Sequence, residues 1–407
     1  MNNKPLKSRL SASLLLAAIT SLLLTGAHAR TWTSADGAKT FEGELKTYDP
    51  TSGMVGVTLS NGKELKFPQK VLSPADIAFL AGQGKFEAPT AGKSSAGKID
   101  ADPKNLFKPV DGKPADMSKP VQVFILMGQS NAIGFGKVAG LETLVKQDKK
   151  YPYLADASGN WIVRQDVRNV RVMASGDGPA KEFYNEWLTV SGKTIGTDIG
   201  IGYALGNALD APVLILKSCI GNRALSFDLL PPGADGYAGN LETPRKPKVG
   251  EGWYAGIQYD GDVHAAQNVL ADLNTYYPEA KKYEVAGFFF WQGEKDAGKA
   301  EWADAYEKNL VQFIKALRKD FESPNAKFVL ATLGEDTKGC GKPVFDAHMA
   351  VDGKEGKYPE FKGNVATVYS NPLSKGGAGN GHYGGNPETY MNVGEAMGKA
   401  MVELLKQ

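Results

Sequence analysis

Two cysteines and four histidines in 407 residues leave no material for a disulfide scaffold, a cysteine-rich zinc or iron–sulfur site, or a histidine-rich metal centre. An excess of one charge is missing too. Lys+Arg 47 against Asp+Glu 45 gives +2, which excludes a partner held by electrostatics alone, nucleic acid above all. Beyond residue 29 no apolar run approaches the length of a membrane span. What is present is ordinary globular material, 42% hydrophobic and 23% charged, enough for one large domain and a small one.

Residues 1–29 stand apart. Lys4, Lys7 and Arg9 precede the short apolar stretch Leu14 to Leu24, and Ala27-His28-Ala29 supplies small residues at the positions a signal peptidase reads. The expectation is an exported chain, periplasmic or secreted, with no membrane attachment after cleavage. No cysteine lies near the cut, which disfavours a lipid anchor. Loss of the three basic groups takes the net charge from +2 to −1. In an oxidising compartment Cys219 and Cys340 can pair or remain two buried thiols, and the sequence leaves both open.

Residues 30–84 read as a small β domain. Phe41–Tyr48, Met54–Leu59 and Glu64–Phe67 alternate with period two, Asn61-Gly62 is a hairpin turn, and Ser73-Pro74-Ala75-Asp76 carries a helix start. With Thr31-Trp32-Thr33-Ser34, Phe41-Glu42-Gly43 and Val71-Leu72-Ser73, this stretch resembles the SLA1 homology 1 type of SH3-like β-barrel. The resemblance implies a binding or spacer module, with a protein or the cell envelope as partner. Residues 85–119, rich in Ala, Gly, Lys, Pro and Ser, read as a linker.

From residue 120 to 407 the pattern changes. Val121–Met127, Val213–Lys217, Val285–Trp291, Phe328–Leu333 and Val365–Ser370 are nearly continuous apolar runs, as expected of strands covered on both faces. Trp302, Tyr306, Leu310, Phe313 and Leu317 form one helical stripe between them, and Val393, Met397, Met401 and Leu404 another. Such alternation predicts an α/β fold, a doubly wound parallel sheet in a three-layer, flavodoxin-like sandwich. Ligands then gather beyond the carboxyl ends of the strands.

Three segments sit there. Gly128-Gln129-Ser130-Asn131 follows the first run, where Ser130 at a helix start has backbone N–H groups aimed at a developing oxyanion. Trp291-Gln292-Gly293-Glu294 ends the third, offering amide donors and a carboxylate. Asn380-Gly381-His382-Tyr383 precedes the last helix. Each alone is as well explained by a turn, a cap or a surface loop.

Together they resemble the SGNH-hydrolase superfamily, and within it the sialate O-acetylesterase-like, carbohydrate esterase family 6 branch. Gly196-Thr197-Asp198-Ile199-Gly200-Ile201-Gly202 has the spacing of that branch's Gly-Pro-Glu-x-x-Phe-Gly block, with Pro, Glu and Phe replaced. Lys217-Ser218-Cys219-Ile220-Gly221-Asn222 stands where it often has a Trp-Gly-Gly turn. The resemblance implies Ser130 as nucleophile, His382 as general base and then acid, and an oxyanion hole from the Ser130 N–H, the Gly196 N–H and the Gln292 side chain. It implies no cofactor and no metal.

One position departs. The superfamily places Asp three residues before its His, and this chain has Gly379 there, with no Asp after Asp352. Glu294 is the candidate for the acid that orients the imidazole, with Asp296 and Glu335 in reserve; without one, a Ser–His dyad is left. His264 at a helix head and His348 in a loop-to-helix stretch read as structural. Asn131, Arg223 and Trp253 are candidates for binding substrate, Trp253 with Tyr254 and Tyr259 in a Gly-rich loop. The expectation is an exported serine esterase that removes O-acetyl groups from a saccharide or polysaccharide. The alternative is a non-catalytic sugar-binding or scaffold protein that keeps the fold.

Overall fold

The structure is a computed structural model describing residues 29–50, 53–59, 63–83, 86–87, 99–100, 102–110, 112–174, 180–241, 253–335, 339 and 341–407. Residues 1–28 of the segment expected to be an export signal, the Asn61-Gly62 turn and Cys340 lie outside the described residues. The chain divides into two compact units, residues 1–92 and 93–407.

In the first unit, β1 (Ala29–Thr33), β2 (Thr40–Asp49), β3 (Met54–Leu59) and β4 (Glu64–Pro68) form an antiparallel sheet in that order, and β5 (Phe86–Glu87) pairs with β2. Period-two alternation turns Leu45, Val55 and Val57 inward around Trp32, Leu72 and Leu80. The Trp32 indole is wholly buried and donates to the Gly43 carbonyl at 2.9 Å, so burial leaves no donor unpaired. Helix α1 (Pro74–Gln83) starts as the Ser-Pro-Ala-Asp pattern predicts, with the Ser73 hydroxyl accepting from the Asp76 N–H at 3.2 Å. Asp76 also accepts from the Thr33 N–H at 2.8 Å and pairs with Arg30, which ties the helix to β1.

The second unit begins within the stretch expected to be a linker. There Ile99 bridges to Leu209, α2 (Pro103–Leu106) is capped by Asp102, and Leu106 is buried in the core. The Leu106 and Lys108 carbonyls accept from Asn207 Nδ2. Next come β6 (Val121–Gly128), α3 (Ser130–Ile133), β7 (Gly136–Lys137), α4 (Val138–Lys146), β8 (Arg164–Met173), β9 (Lys181–Leu188), β10 (Thr194–Ile195), α5 (Asp198–Ala208) and β11 (Val213–Ser218). Then follow α6 (Ile257–Ala271), α7 (Leu273–Tyr276), β12 (Tyr283–Trp291), α8 (Ala300–Asp320), β13 (Lys327–Ala331), α9 (Gly341–Ala350), β14 (Val365–Val368) and α10 (Pro387–Leu405).

Seven strands make the main sheet in the order β14-β13-β12-β6-β11-β8-β9, all parallel except β9. Phe124 and Leu126 of β6 face a core shared with α4, α5 and α10, whereas Val123, Ile125 and Met127 face one shared with α6, α8 and α9. Both faces are therefore covered, as the unbroken apolar runs require. Sequence reading missed β8 and β9. Their alternation is interrupted by Arg, Asp, Asn and Glu because they lie toward one edge, where less surface is buried. His264 and Tyr259 stand inside α6, not at its head or in a loop, and His348 lies inside α9.

Candidate active site

Strand register brings the site together. Trp291 pairs with Gly128 across β12 and β6, so the turns after these two strands leave the sheet side by side. The chain proceeds from β6 to one side of the sheet and returns on the other at β12, a topological switch point where α/β sheets open a crevice. Gly128 at φ 139° makes the turn possible: a Cβ there would stand 2.3 Å from the Trp291 carbonyl oxygen.

Glu294 braces the turn that carries Ser130. Its Oε2 accepts from Gln129 Nε2 at 2.7 Å and its Oε1 from Asn131 Nδ2 at 2.6 Å, so one carboxylate grips both neighbours of the serine. Burial raises its pKa to about 7, Glu335 adds to the rise, and the bonds from Asn131 and Gln129 oppose it. Glu294 was expected to orient the imidazole. Among the described residues it has no hydrogen bond to His382; its acceptor oxygens are spent on the serine turn.

The loop of His382 packs against α3 and β7. Gly379 opens it, its N–H donating to Glu335 Oε2 and its carbonyl accepting from Asn131 Nδ2, both at 2.9 Å. A Cβ on residue 379 would lie 3.1 Å from Glu294 Oε1 and 2.9 Å from the Tyr383 hydroxyl. Glu294 and Tyr383 therefore occupy the space an aspartate side chain at 379 would enter, the physical counterpart of the departure in the motif. His382 and Tyr383 both adopt left-handed φ, 54° and 52°, a conformation non-glycine residues hold only under constraint. The constraints are visible. Tyr383 is buried and stacks on Trp291, and the His382 ring stacks on Phe135 at 4.0 Å with planes 7° apart. Tyr390 places its hydroxyl 3.0 Å from Asn131 Oδ1 and 3.5 Å from the His382 carbonyl.

Neither the Ser130 nor the Gly196 N–H takes part in a turn, loop or cap hydrogen bond among the described residues. Gln292 differs from expectation. It is wholly buried, and its amide hydrogens go to Asp296 Oδ2 at 2.6 Å and the Arg223 carbonyl at 2.9 Å, leaving none for an oxyanion. Tyr306 donates to Gln292 Oε1 at 2.8 Å and faces His348 Nε2 at 3.0 Å. Burial lowers the His348 pKa to about 3, so this imidazole is neutral and structural. Asp296 is no substitute acid for His382 either: it accepts the Leu225 and Ser226 N–H groups at 2.8 Å, with burial raising its pKa to about 6.

Asn131 is also fully buried, and its hydrogen bonds to Glu294, Gly379 and Tyr390 make it an internal strut instead of a substrate contact. Arg223 and Trp253 keep access to solvent. The guanidinium lies 5.1 Å from the Trp253 ring centroid, and Trp253 is 39% exposed. Gly221 sits beside the serine, its pro-Cβ position 3.4 Å from Ser130 Cβ. Tyr254 and Tyr259 are buried.

Residues 258–403 match the family model described as carbohydrate esterase, sialic acid-specific acetylesterase. The likeness to carbohydrate acetylesterases therefore runs through the second unit from α6 to α10. The matched region holds Gln292, Glu294 and His382, while Ser130 lies upstream of it. Three solved structures are similar to the chain. A protein from Arabidopsis thaliana is 18% identical, covering 69% of this chain and 98% of its own, with a TM-score of 0.41. A carbohydrate acetylesterase from Xanthomonas citri is 13% identical, covering 92% and 68%, with a TM-score of 0.42. NanS is 15% identical, covering 65% and 80%, with a TM-score of 0.34. Comparison with curated proteins gives no match.

Several parts of the candidate site were not legible in the sequence. Phe135 and Tyr390 carry no motif and Tyr383 counted only as part of the histidine segment, yet all three hold the His382 loop. The left-handed run from His382 to Gly385 had one signal, Tyr383-Gly384-Gly385 after the histidine. Among the described residues no group of three or more His, Cys, Asp or Glu is placed to hold a metal.

Proposed function

We propose that the chain is an exported serine esterase that removes O-acetyl groups from carbohydrate. Ser130 Oγ attacks the acetyl carbonyl as His382 takes its proton. The oxyanion is met by the Ser130 and Gly196 N–H groups, the tetrahedral adduct collapses to an acetyl-enzyme, and His382 returns the proton to the departing sugar hydroxyl. Water, deprotonated by the same imidazole, then releases acetate and restores the serine. His382 works without a carboxylate partner, in a Ser–His dyad, and Glu294 serves the nucleophile's turn. Arg223 and Trp253 flank the entrance for the sugar.

The observation that carries this reading is the in-register ending of β6 and β12, with Glu294 bonded to both neighbours of Ser130 and Asn131 bonded to the start of the His382 loop. Purified protein is expected to release acetate from p-nitrophenyl acetate and from acetylated polysaccharide. Ser130→Ala should abolish turnover at an unchanged melting temperature. Turnover that survives the change would refute the nucleophile.

A further inference from the structure

A lysine and an aspartate lie buried against the expected oxyanion donor. Lys217, near the end of β11, is 1% exposed and Asp198, first residue of α5, is 4% exposed. Lys217 Nζ donates to Asp198 Oδ1 and to the Ile133 carbonyl, both at 2.7 Å, and the Tyr184 hydroxyl faces it as well. Asp198 Oδ2 accepts from Asn169 Nδ2 at 2.8 Å.

Ile133 ends the short helix that Ser130 begins, and Asp198 is two residues beyond Gly196. A single ammonium group therefore joins the segment of the nucleophile to the turn of the second donor. Gly196 is seated between them. A Cβ there would meet Asp198 Oδ1 at 2.4 Å, the Ile133 oxygen at 2.9 Å and Lys217 Nζ at 2.9 Å, while Gly134 packs on the Gly196 backbone from the other side. Stability alone does not call for this arrangement, because an apolar pair of similar volume often serves a protein interior as well or better. What an apolar pair lacks is the directed bond to the Ile133 carbonyl and the hold on the 196–198 turn.

We propose that Lys217, through its pair with Asp198, is a positioning residue that sets the spacing between the Ser130 and Gly196 N–H groups. Asp198 neutralises the charge of Lys217, so the pair acts through geometry and not through its field on the oxyanion. The proposal rests on the serine-esterase reading given above.

The test uses the full chain with p-nitrophenyl acetate. Lys217→Met alone strands a buried carboxylate, so it is combined with Asp198→Asn to remove both charges. The double variant should melt near the parent, keep KM within twofold and lose about 100-fold in kcat, the scale of a misplacement of one ångström. Affinity for an alkyl boronic acid, which forms a tetrahedral adduct with the serine, should fall in parallel. Asp198→Asn alone takes the countercharge from Lys217 but leaves an amide oxygen within its reach and the bond to Ile133 in place; with folding checked by its melting temperature, it should lose about tenfold in kcat at constant KM, as a partial misplacement. A folded double variant with parental kcat overturns the proposal. Should that variant not fold, parental kcat in Asp198→Asn overturns it instead. Wild-type turnover that persists in Ser130→Ala overturns the esterase reading and the proposal with it, whereas Ser130-dependent turnover indifferent to these changes overturns the proposal alone.

Discussion

Glu294 occupies space that the missing aspartate would enter but does a different job there. Gly379 leaves room, Glu294 and Tyr383 fill it, and the Glu294 oxygens bind Gln129 and Asn131 on either side of Ser130. Above its raised pKa of about 7 the ionised carboxylate accepts both amides at once. A glutamine offers one acceptor oxygen and turns its amide hydrogens toward another donor. Glu294→Gln should therefore loosen the serine turn and lower kcat by about 100-fold, the cost expected of a small misplacement at the reacting centre. Steady-state kinetics on p-nitrophenyl acetate check this, and a rate within twofold of the parent would remove Glu294 from the account. Asn131 illustrates the same logic. Its place beside the serine suggested a substrate contact, but an amide with three internal partners is a strut.

At the scale of elements, α6 carries an unusual load. Asp260 and Asp262 are both wholly buried within it. Asp260 is satisfied by Tyr237, Tyr254 and the Asn240 N–H. Asp262 accepts from Gln258 through Oδ1, while Oδ2 has no partner among the described residues. Burial raises its pKa to about 8, against which the Gln258 bond and the Arg223 charge act. The folded state therefore holds this proton more tightly than the unfolded chain does. Stability from Asp262 is complete below the ordinary carboxylate range and is lost as pH rises through about 8. Asp296, raised to about 6, and Glu294, raised to about 7, act in the same direction. The melting temperature should fall between pH 5 and pH 9, two values chosen about either side of these groups. Asp262→Asn should flatten that slope and melt above the parent at the alkaline end. Calorimetry across the range decides, and an identical slope in the variant would reject the assignment.

For the whole molecule, the division at residues 92 and 93 leaves every candidate site residue in the second unit. That unit has its own two cores, one on each face of its sheet, and its first residues are bonded into it through Ile99, Leu106 and Asn207. Residues 93–407 alone should therefore fold and keep the parental kcat on p-nitrophenyl acetate, a small ester that needs no second surface. A soluble fragment without turnover would show that the first unit contributes to the site. Legibility divides along similar lines. The doubly wound sheet was readable because a strand buried on both faces is apolar at nearly every position, and five runs of that kind stand in the sequence. Strands β8 and β9 were not, since a strand toward the edge tolerates charge. The three site segments were recognisable because a sharp turn after a strand demands glycine and a small polar residue. Their partners were not. Composition and local pattern determine which residues can turn, cap or be buried, as these depend on a residue and its near neighbours. Which carboxylate faces the amides beside Ser130 and what the His382 ring rests on were decided by strand register and by packing across more than a hundred residues of chain, and no short window of sequence carries that information.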